Sequence, residues 1–471
     1  MPDFHTLAST ILKVLIIILA FNLIIFVHEL GHFLAAKWRG LKVERFQIWF
    51  GKPIWKKTMG GVQYGIGWIP AGGFVALPQM APMEAIEGAN KEGSEPLSPI
   101  SPLDKIIVAF AGPLFSVLLA LLAATIVWKI GKPADFIPSQ IVGEVVEGSP
   151  GQKAGILKGD KILEINGEAV DGFTGKLNSI FERIVLSKGD TLSFTIQRDG
   201  VPEPLHLTSK FDIEPTKWYQ RRGLRRVGIG PQFDHVAVAA VVQGSPAERA
   251  GLKEEDTLVS FDGKPIPDTK TLLEWIKEKG TTPFKMAYQR SGVSYTAELT
   301  AEEPVVAEEK GPKIGLAPTD MPFVDARLNY PGPFRQVKDS LSMMWETLTG
   351  LLAPSSSIGV DQLSGPIGIF KVKFQMLGMD HPANRILAFF VIFNVNLAVF
   401  NMLPLPVLDG GHITLALMEA ATRRPVRARA LEIVQTAFVF LLLSLFLYVA
   451  SKDAFSDMGR GKAVKTEFRK R

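Results

Sequence analysis

The sequence predicts a polytopic α-helical membrane protein with four transmembrane helices, a membrane-associated β-hairpin and two tandem extracytoplasmic α/β modules. Four long apolar runs in a chain of 471 residues, 47% of them hydrophobic, supply the helices. A stretch between the second and third runs occurs twice and supplies the modules. The third observation is chemical. The first run ends in Val27-His28-Glu29-Leu30-Gly31-His32, and ionisable residues in a membrane segment are costly enough to mark function.

The apolar runs cover residues 12–36, 106–128, 386–403 and 433–450, each near the length that crosses a bilayer core. The start, MPDFHTLAST, has no basic n-region, and no small-residue cleavage site follows, so the first run reads as a retained helix. Lys37, Arg39, Lys42, Arg45, Lys52, Lys56 and Lys57 follow it, and Arg423, Arg424, Arg427 and Arg429 separate the third run from the fourth. Both loops are therefore expected in the cytoplasm, with the N-terminus and residues 129–385 outside. The basic tail, 451–471, argues the other way, but most of its charges lie far from the last run. A net charge of +5 fits such flanks and calls for no nucleic acid. With no cysteine in the chain, a zinc site has only His and carboxylate to use.

Residues 59–78, MGGVQYGIGWIPAGGFVALP, alternate apolar and small residues with repeated glycine and no charge, the pattern of a glycine-rich hairpin. Such a hairpin either packs at the interface or offers an edge to an unfolded segment by strand addition. The internal repeat is explicit: GSPGQKAGILKGDKILEINGEAV starts at Gly148 and GSPAERAGLKEEDTLVSFDGKPI at Gly244. Asn166-Gly167 and Asp262-Gly263 mark equivalent tight turns, and Val227-Gly228-Ile229 and Ile314-Gly315-Leu316 close the copies. The pair resembles tandem PDZ domains. Residues 334–352 are amphipathic at helical spacing, suited to lying on the membrane surface or to packing on the second module.

His28 and His32, four apart, project from one helix face and can grip one metal ion, while Glu29 is placed to act as a base on the attacking water. A catalytic zinc needs a third protein ligand. The other five histidines offer only His412 on the expected side, and Asp409 lies close by in NMLPLPVLDGGH, Asn401 to His412. The rise from Ile11 to His28 is about 26 Å at helical pitch, which brings the histidines to the cytoplasmic depth at which the third run ends. Asp409 is preferred over His412 because a carboxylate also offsets the metal's charge. Pro404 and Pro406 cannot continue a helix; they either end the third run or shape a path beside the site.

His28-Glu29-xx-His32, Asn401-xx-Pro404-x-Pro406-xx-Asp409-Gly410 and the tandem modules together resemble the site-2 protease family over nearly the whole chain. Pro70-Ala71-Gly72-Gly73-Phe74-Val75, Ala111-Gly112-Pro113-Leu114-Phe115 and Gly365-Pro366-Ile367-Gly368 support the likeness. Ser116 stands where many relatives carry Asn, a departure expected to leave the metal site untouched. The resemblance implies one Zn2+ held by His28, His32 and Asp409, with Glu29 catalytic, cutting single-span substrates inside a bacterial inner membrane. It further implies trimming of an anti-sigma factor after a first extracytoplasmic cut, removal of remnant signal peptides, and periplasmic PDZ domains acting as a size filter. Gly72 and Gly73 would hold the substrate extended, Asn396 and Asn401 would contact its backbone, and Pro404 and Pro406 would line its path. Asn396 and Asn401 also read as ordinary interhelical hydrogen-bonding residues within a span.

The expected division is 1–37 (first helix), 38–105 (cytoplasmic-side loop with the hairpin), 106–128 (second helix), 129–231 and 232–320 (PDZ domains) and 321–385 (surface segment). The remainder divides into 386–412 (third helix with the LDG motif), 413–432 (cytoplasmic loop), 433–450 (fourth helix) and 451–471 (basic tail). Two rivals stand beside the protease: a membrane-tethered PDZ scaffold with a structural or inactive zinc site, and a zinc enzyme for a small lipid-soluble substrate. The intact Glu29 speaks against the first, and the tandem modules against the second.

Overall fold

The computed structural model describes residues 4–80, 100–304, 311–325, 327–423 and 428–455. The tail beyond residue 455 and the loop arginines Arg424 and Arg427 lie outside them. The chain divides into two units. The first combines Met1–Pro133, Arg327–Leu352 and Gly359–Ser456; the second combines Ala134–Ala326 with Ala353–Ile358.

The first unit is helical around one small sheet. Its helices are α1 (Phe4–Trp38), α2 (Pro102–Ile130), α3 (Pro333–Leu352), α4 (Pro366–Met376), α5 (Pro382–Asn401), α6 (Asp409–Thr422) and α7 (Ala428–Phe455). Among the described residues, four helices are long and apolar enough to cross a membrane: Thr10–Trp38, Pro102–Ile130, Pro382–Asn401 and Leu431–Phe455. α2 begins at a capping box in which Ser101 and Asp104 satisfy each other's backbone N–H groups.

Small residues let α1 and α2 approach closely. A Cβ on Gly31 would fall 2.4 Å from the Ala111 carbonyl oxygen, so only glycine permits this contact. Ala35 and Ala36 are buried against Val108, Ala109 and Ala111 in the same cluster. α5 joins them through Ile24, Ala120, Ala124, Phe390 and Val395.

The hairpin has two strands, β1 (Arg45–Met59) and β2 (Val62–Ala76). It starts earlier than the uncharged stretch from Met59 suggests, because Lys52, Lys56 and Lys57 are tolerated on exposed positions of β1. Residues 45–48 pair on both sides, with 63–66 on one and 73–76 on the other. The segment 73–76 is thereby an edge, and no other described strand pairs with it. Its residues Phe74 and Val75 are buried in the unit's core, and Gly72, at φ +69°, takes the ring of Phe50 where a side chain would be.

Three local outcomes differ from the sequence reading. Residues 386–412 are not one helix: α5 ends at Asn401, a loop containing Pro404 and Pro406 follows, and Asp409 opens α6. The segment expected as a loop from 413 is largely α6, whose apolar residues pack it against α2. α3 packs on α2 and α5 with a polar face inward: Gln336 is buried and donates to the Ala124 carbonyl, while Phe334, Trp345 and Leu352 are exposed. That inversion suits a lipid solvent better than water. α4 is held at both ends. Asp453 of α7 accepts from the Gly368 N–H, and the buried Lys373 amine lies 3.8 Å from the Phe21 ring centre, with Phe389 and Phe393 also within cation–π range.

The second unit shows the repeat in three dimensions. Short helices Pro150–Lys153 and Pro246–Arg249 are capped alike, by Ser149 accepting from Gln152 N–H and Ser245 from Glu248 N–H. Each copy closes by pairing a late strand with its first: Ile229–Pro231 with Val142–Val145, and Leu316–Pro322 with Phe233–Val241. Each has its own core, one around Ile162, Phe194 and Ile180, the other around Phe261, Phe284 and Leu272. Buried Arg225 joins Ala353–Ile358 to the first copy by donating to Ser357 Oγ and the Ser355 carbonyl.

Asp160 takes two bonds from Arg198, which also reaches the Gly155 carbonyl; Asp256, Arg290 and Gly251 repeat the arrangement. Burial alone would push the Asp256 carboxyl up, but Arg290 and the Lys253 N–H outweigh it and hold it below the usual carboxylate range. Its stabilisation is then complete above about pH 4 and is lost as acid protonates it. Asp256→Ala removes a buried charge-assisted network of about 2 kcal/mol. Thermal unfolding should show the second module's midpoint lowered by roughly 8–16 °C, with the difference from wild type shrinking towards low pH.

Candidate metal centre

Three elements converge on one point. α1 carries His28 and His32 a turn apart on a buried face. α6 carries Asp409 at its first position, delivered by a tight loop: Cβ atoms on Gly410 and Gly411 would fall 2.3 Å from the Met402 and 2.1 Å from the Leu405 carbonyl oxygens. α2 supplies the wall. A Cβ on Gly112 would lie 2.2 Å from His32 Nε2 and 2.9 Å from His28 Nε2, so the missing side chain is the space in which the imidazoles meet.

The ligand atoms are evenly spaced. His28 Nε2 is 3.3 Å from His32 Nε2 and 3.3 Å from Asp409 Oδ2, and His32 Nε2 is 3.4 Å from Asp409 Oδ1. A tetrahedron with bonds of about 2.0–2.1 Å, as zinc prefers for His and carboxylate, has edges of about 3.3–3.4 Å. The atoms also call for a cation. His32 Nδ1 lies 2.8 Å from the Val108 carbonyl oxygen, which can only accept, so that nitrogen carries a proton and leaves Nε2 as the ring atom able to ligate a metal. Asp409 Oδ2 is buried with no hydrogen bond of its own. Among the described residues these three side chains form the one such metal-ligating group.

Other expected residues fall variously. Glu29 is half-buried next to the edge segment: a Cβ on Gly73 would be 3.2 Å from its Cγ. The Asn401 amide reaches within 3.4 Å of His28 Nε2. Asn396 is half-buried with its carbonyl oxygen unbonded. Pro406 has a structural partner, since its carbonyl accepts from Gln435 of α7, and Pro404 is exposed in the loop. His412 is buried but outside the ligand group. One expectation is overturned. Ser116 does touch the site: its Oγ lies 3.0 Å from His28 Nδ1. The interhelical approach at Gly31 that brings it there has no signature in the spacing of either motif.

The sequence profile of peptidase family M50 matches residues 16–445. The chain belongs to peptidase family M50. This is the site-2 protease family that the motifs resemble, and the chain is a zinc metallopeptidase of it. Protease RseP of Yersinia pestis is 27% identical over 445 residues, covering 92% of this chain and 96% of that relative. The regulator of sigma E protease of Haemophilus influenzae is 29% identical over 463 residues, covering 93% and 97%. A Neisseria meningitidis protein whose name assigns it provisionally to the zinc metalloproteases is 29% identical, covering 97% and 99%. Among solved structures, the PDZ domain of the SdrC-like protein from Listeria monocytogenes is 20% identical, covering 19% of this chain and 90% of that one, with a TM-score of 0.17.

Proposed function

We propose that this M50 peptidase is an intramembrane endopeptidase that cuts single-span helices after a first extracytoplasmic cut. The observation that carries the reading is the tetrahedral spacing of His28, His32 and Asp409 with Glu29 and a side-chain-poor strand edge beside it. Zinc, when bound, supplies a Lewis acid for the scissile carbonyl and the attacking water. Glu29 accepts the water's proton and passes it to the leaving amine.

A membrane helix hides its amides in i→i−4 bonds and must unwind to be cut. The edge at 73–76, with Gly72 and Gly73 at its start, offers replacement backbone hydrogen bonds, and the amides of Asn396 and Asn401 offer two more partners. Pro404 and Pro406 form the loop that delivers Asp409 and borders the substrate's path. The modules at 129–231 and 232–320 act as a tandem PDZ pair, on the periplasmic side of a bacterial inner membrane, that screens out substrates with intact outer domains. Relatives named as regulators of sigma E support an anti-sigma factor as substrate. The same chemistry suits remnant signal peptides, which are also short single helices.

The test is cleavage of a tagged single-span helix by the purified full chain in detergent, with and without a zinc chelator. Cleavage inside the apolar segment is expected, abolished by chelation, restored by zinc, and at least about tenfold slower when the substrate keeps a folded outer domain, a barrier of about 1.4 kcal/mol. A chain that binds zinc yet cuts no helix in any form would be a scaffold instead.

A further inference from the structure

Both imidazoles are steered by the same helix. Val108, Gly112 and Ser116 succeed one another at helical i, i+4 spacing on α2, so one face presents an acceptor, a gap and a second polar group. The carbonyl of Val108 meets His32 Nδ1 at 2.8 Å, and Ser116 Oγ meets His28 Nδ1 at 3.0 Å. Ser116 is 0% exposed, so no solvent substitutes for it.

The two contacts are not equivalent. A carbonyl can only accept and fixes the His32 tautomer outright, whereas a hydroxyl can donate or accept. His28 presents a lone pair at Nε2, the atom that faces Asp409 and His32, only when Nδ1 carries the proton and Ser116 accepts it. We infer that Ser116 is a positioning residue of the metal centre, holding the plane and tautomer of His28 through this one hydrogen bond. The inference rests on the triad being the zinc site, and it assigns the hold on His28 to a side chain, where that on His32 belongs to the backbone. Substitution can therefore release one ligand and not the other.

The measurement is zinc affinity, read by competition with a chromogenic chelator on the full chain in detergent, for wild type, Ser116→Ala, Ser116→Thr and Ser116→Asn. No peptide need be cut, so the outcome is separate from that of the protease reading. Ser116→Ala is expected to bind zinc roughly 10–100-fold more weakly, the usual consequence of losing a partner of a metal-ligating histidine. Threonine keeps the hydroxyl and asparagine offers a carbonyl acceptor, so at least one of them should return affinity to near the wild-type value. Cleavage by Ser116→Ala should recover in excess zinc with the substrate KM unchanged. Wild-type affinity in Ser116→Ala would overturn the inference. Equal weakening in all three variants would overturn it too, since packing rather than the hydrogen bond would then be responsible.

Discussion

A Glu29→Gln chain is expected to keep its zinc and to cut a single-span helix about 10²–10⁴-fold more slowly than wild type. Glutamine preserves the shape of the side chain but cannot take a proton. Glu29 is not among the three groups spaced for the metal, so its loss should leave metal binding unchanged. The deficit should fall on kcat, with KM near the wild-type value, because proton transfer matters in the transition state and not in binding. Turnover measured beside bound zinc separates the outcomes. Full activity would refute Glu29 as the base, and loss of zinc together with activity would make it a ligand.

Gly112→Ala should cost the chain its zinc without costing it its fold. The new Cβ would be placed 2.2 Å from His32 Nε2, inside any permissible contact, and α2 is packed against α5 and α6 as well as α1, which opposes its withdrawal. Alanine is the better helix former by about 1 kcal/mol, so a loss cannot be laid to helix propensity. Zinc affinity should fall by at least about 100-fold, the upper end of what losing an outer partner costs, because here the ligands themselves are displaced. Equilibrium dialysis against zinc, with thermal unfolding of the metal-free chain as control, checks this. Retained zinc would mean that the imidazoles meet elsewhere.

What could be read from the sequence depended on whether the signal was local. His28 and His32 are a turn apart on one helix, so their partnership is written in a single four-residue spacing. Asp409 lies more than 370 residues away and was reached by counting depth along membrane helices, an argument that works because a bilayer fixes height. Ser116 and Val108 share that height, yet nothing in their own segment shows which way α2 turns its face; the small residues at Gly31 and Ala111 decide it. The break between Asn401 and Asp409 is hidden because apolar residues continue through the loop, and Pro404 marks a helix end without showing that another begins. The early part of β1 is hidden for the opposite reason, its lysines being exposed on a strand that hydropathy reads as linker.

The edge at 73–76 has a consequence for selectivity. Gly72 and Gly73 carry no side chain, and those of Phe74 and Val75 are buried at 4% and 1% exposure. On the reading proposed above, a substrate strand paired along this edge meets mainly peptide groups, which give it little with which to tell leucine from valine. It measures how cheaply a guest gives up its own hydrogen bonds. Two helices of unrelated sequence but equal fragility would be the same substrate to it, and a single residue that stiffens one turn would turn a guest away without touching the enzyme. On that reading, choice among substrates belongs to their conformational stability and to whatever governs admission, and one catalytic centre can serve many sequences.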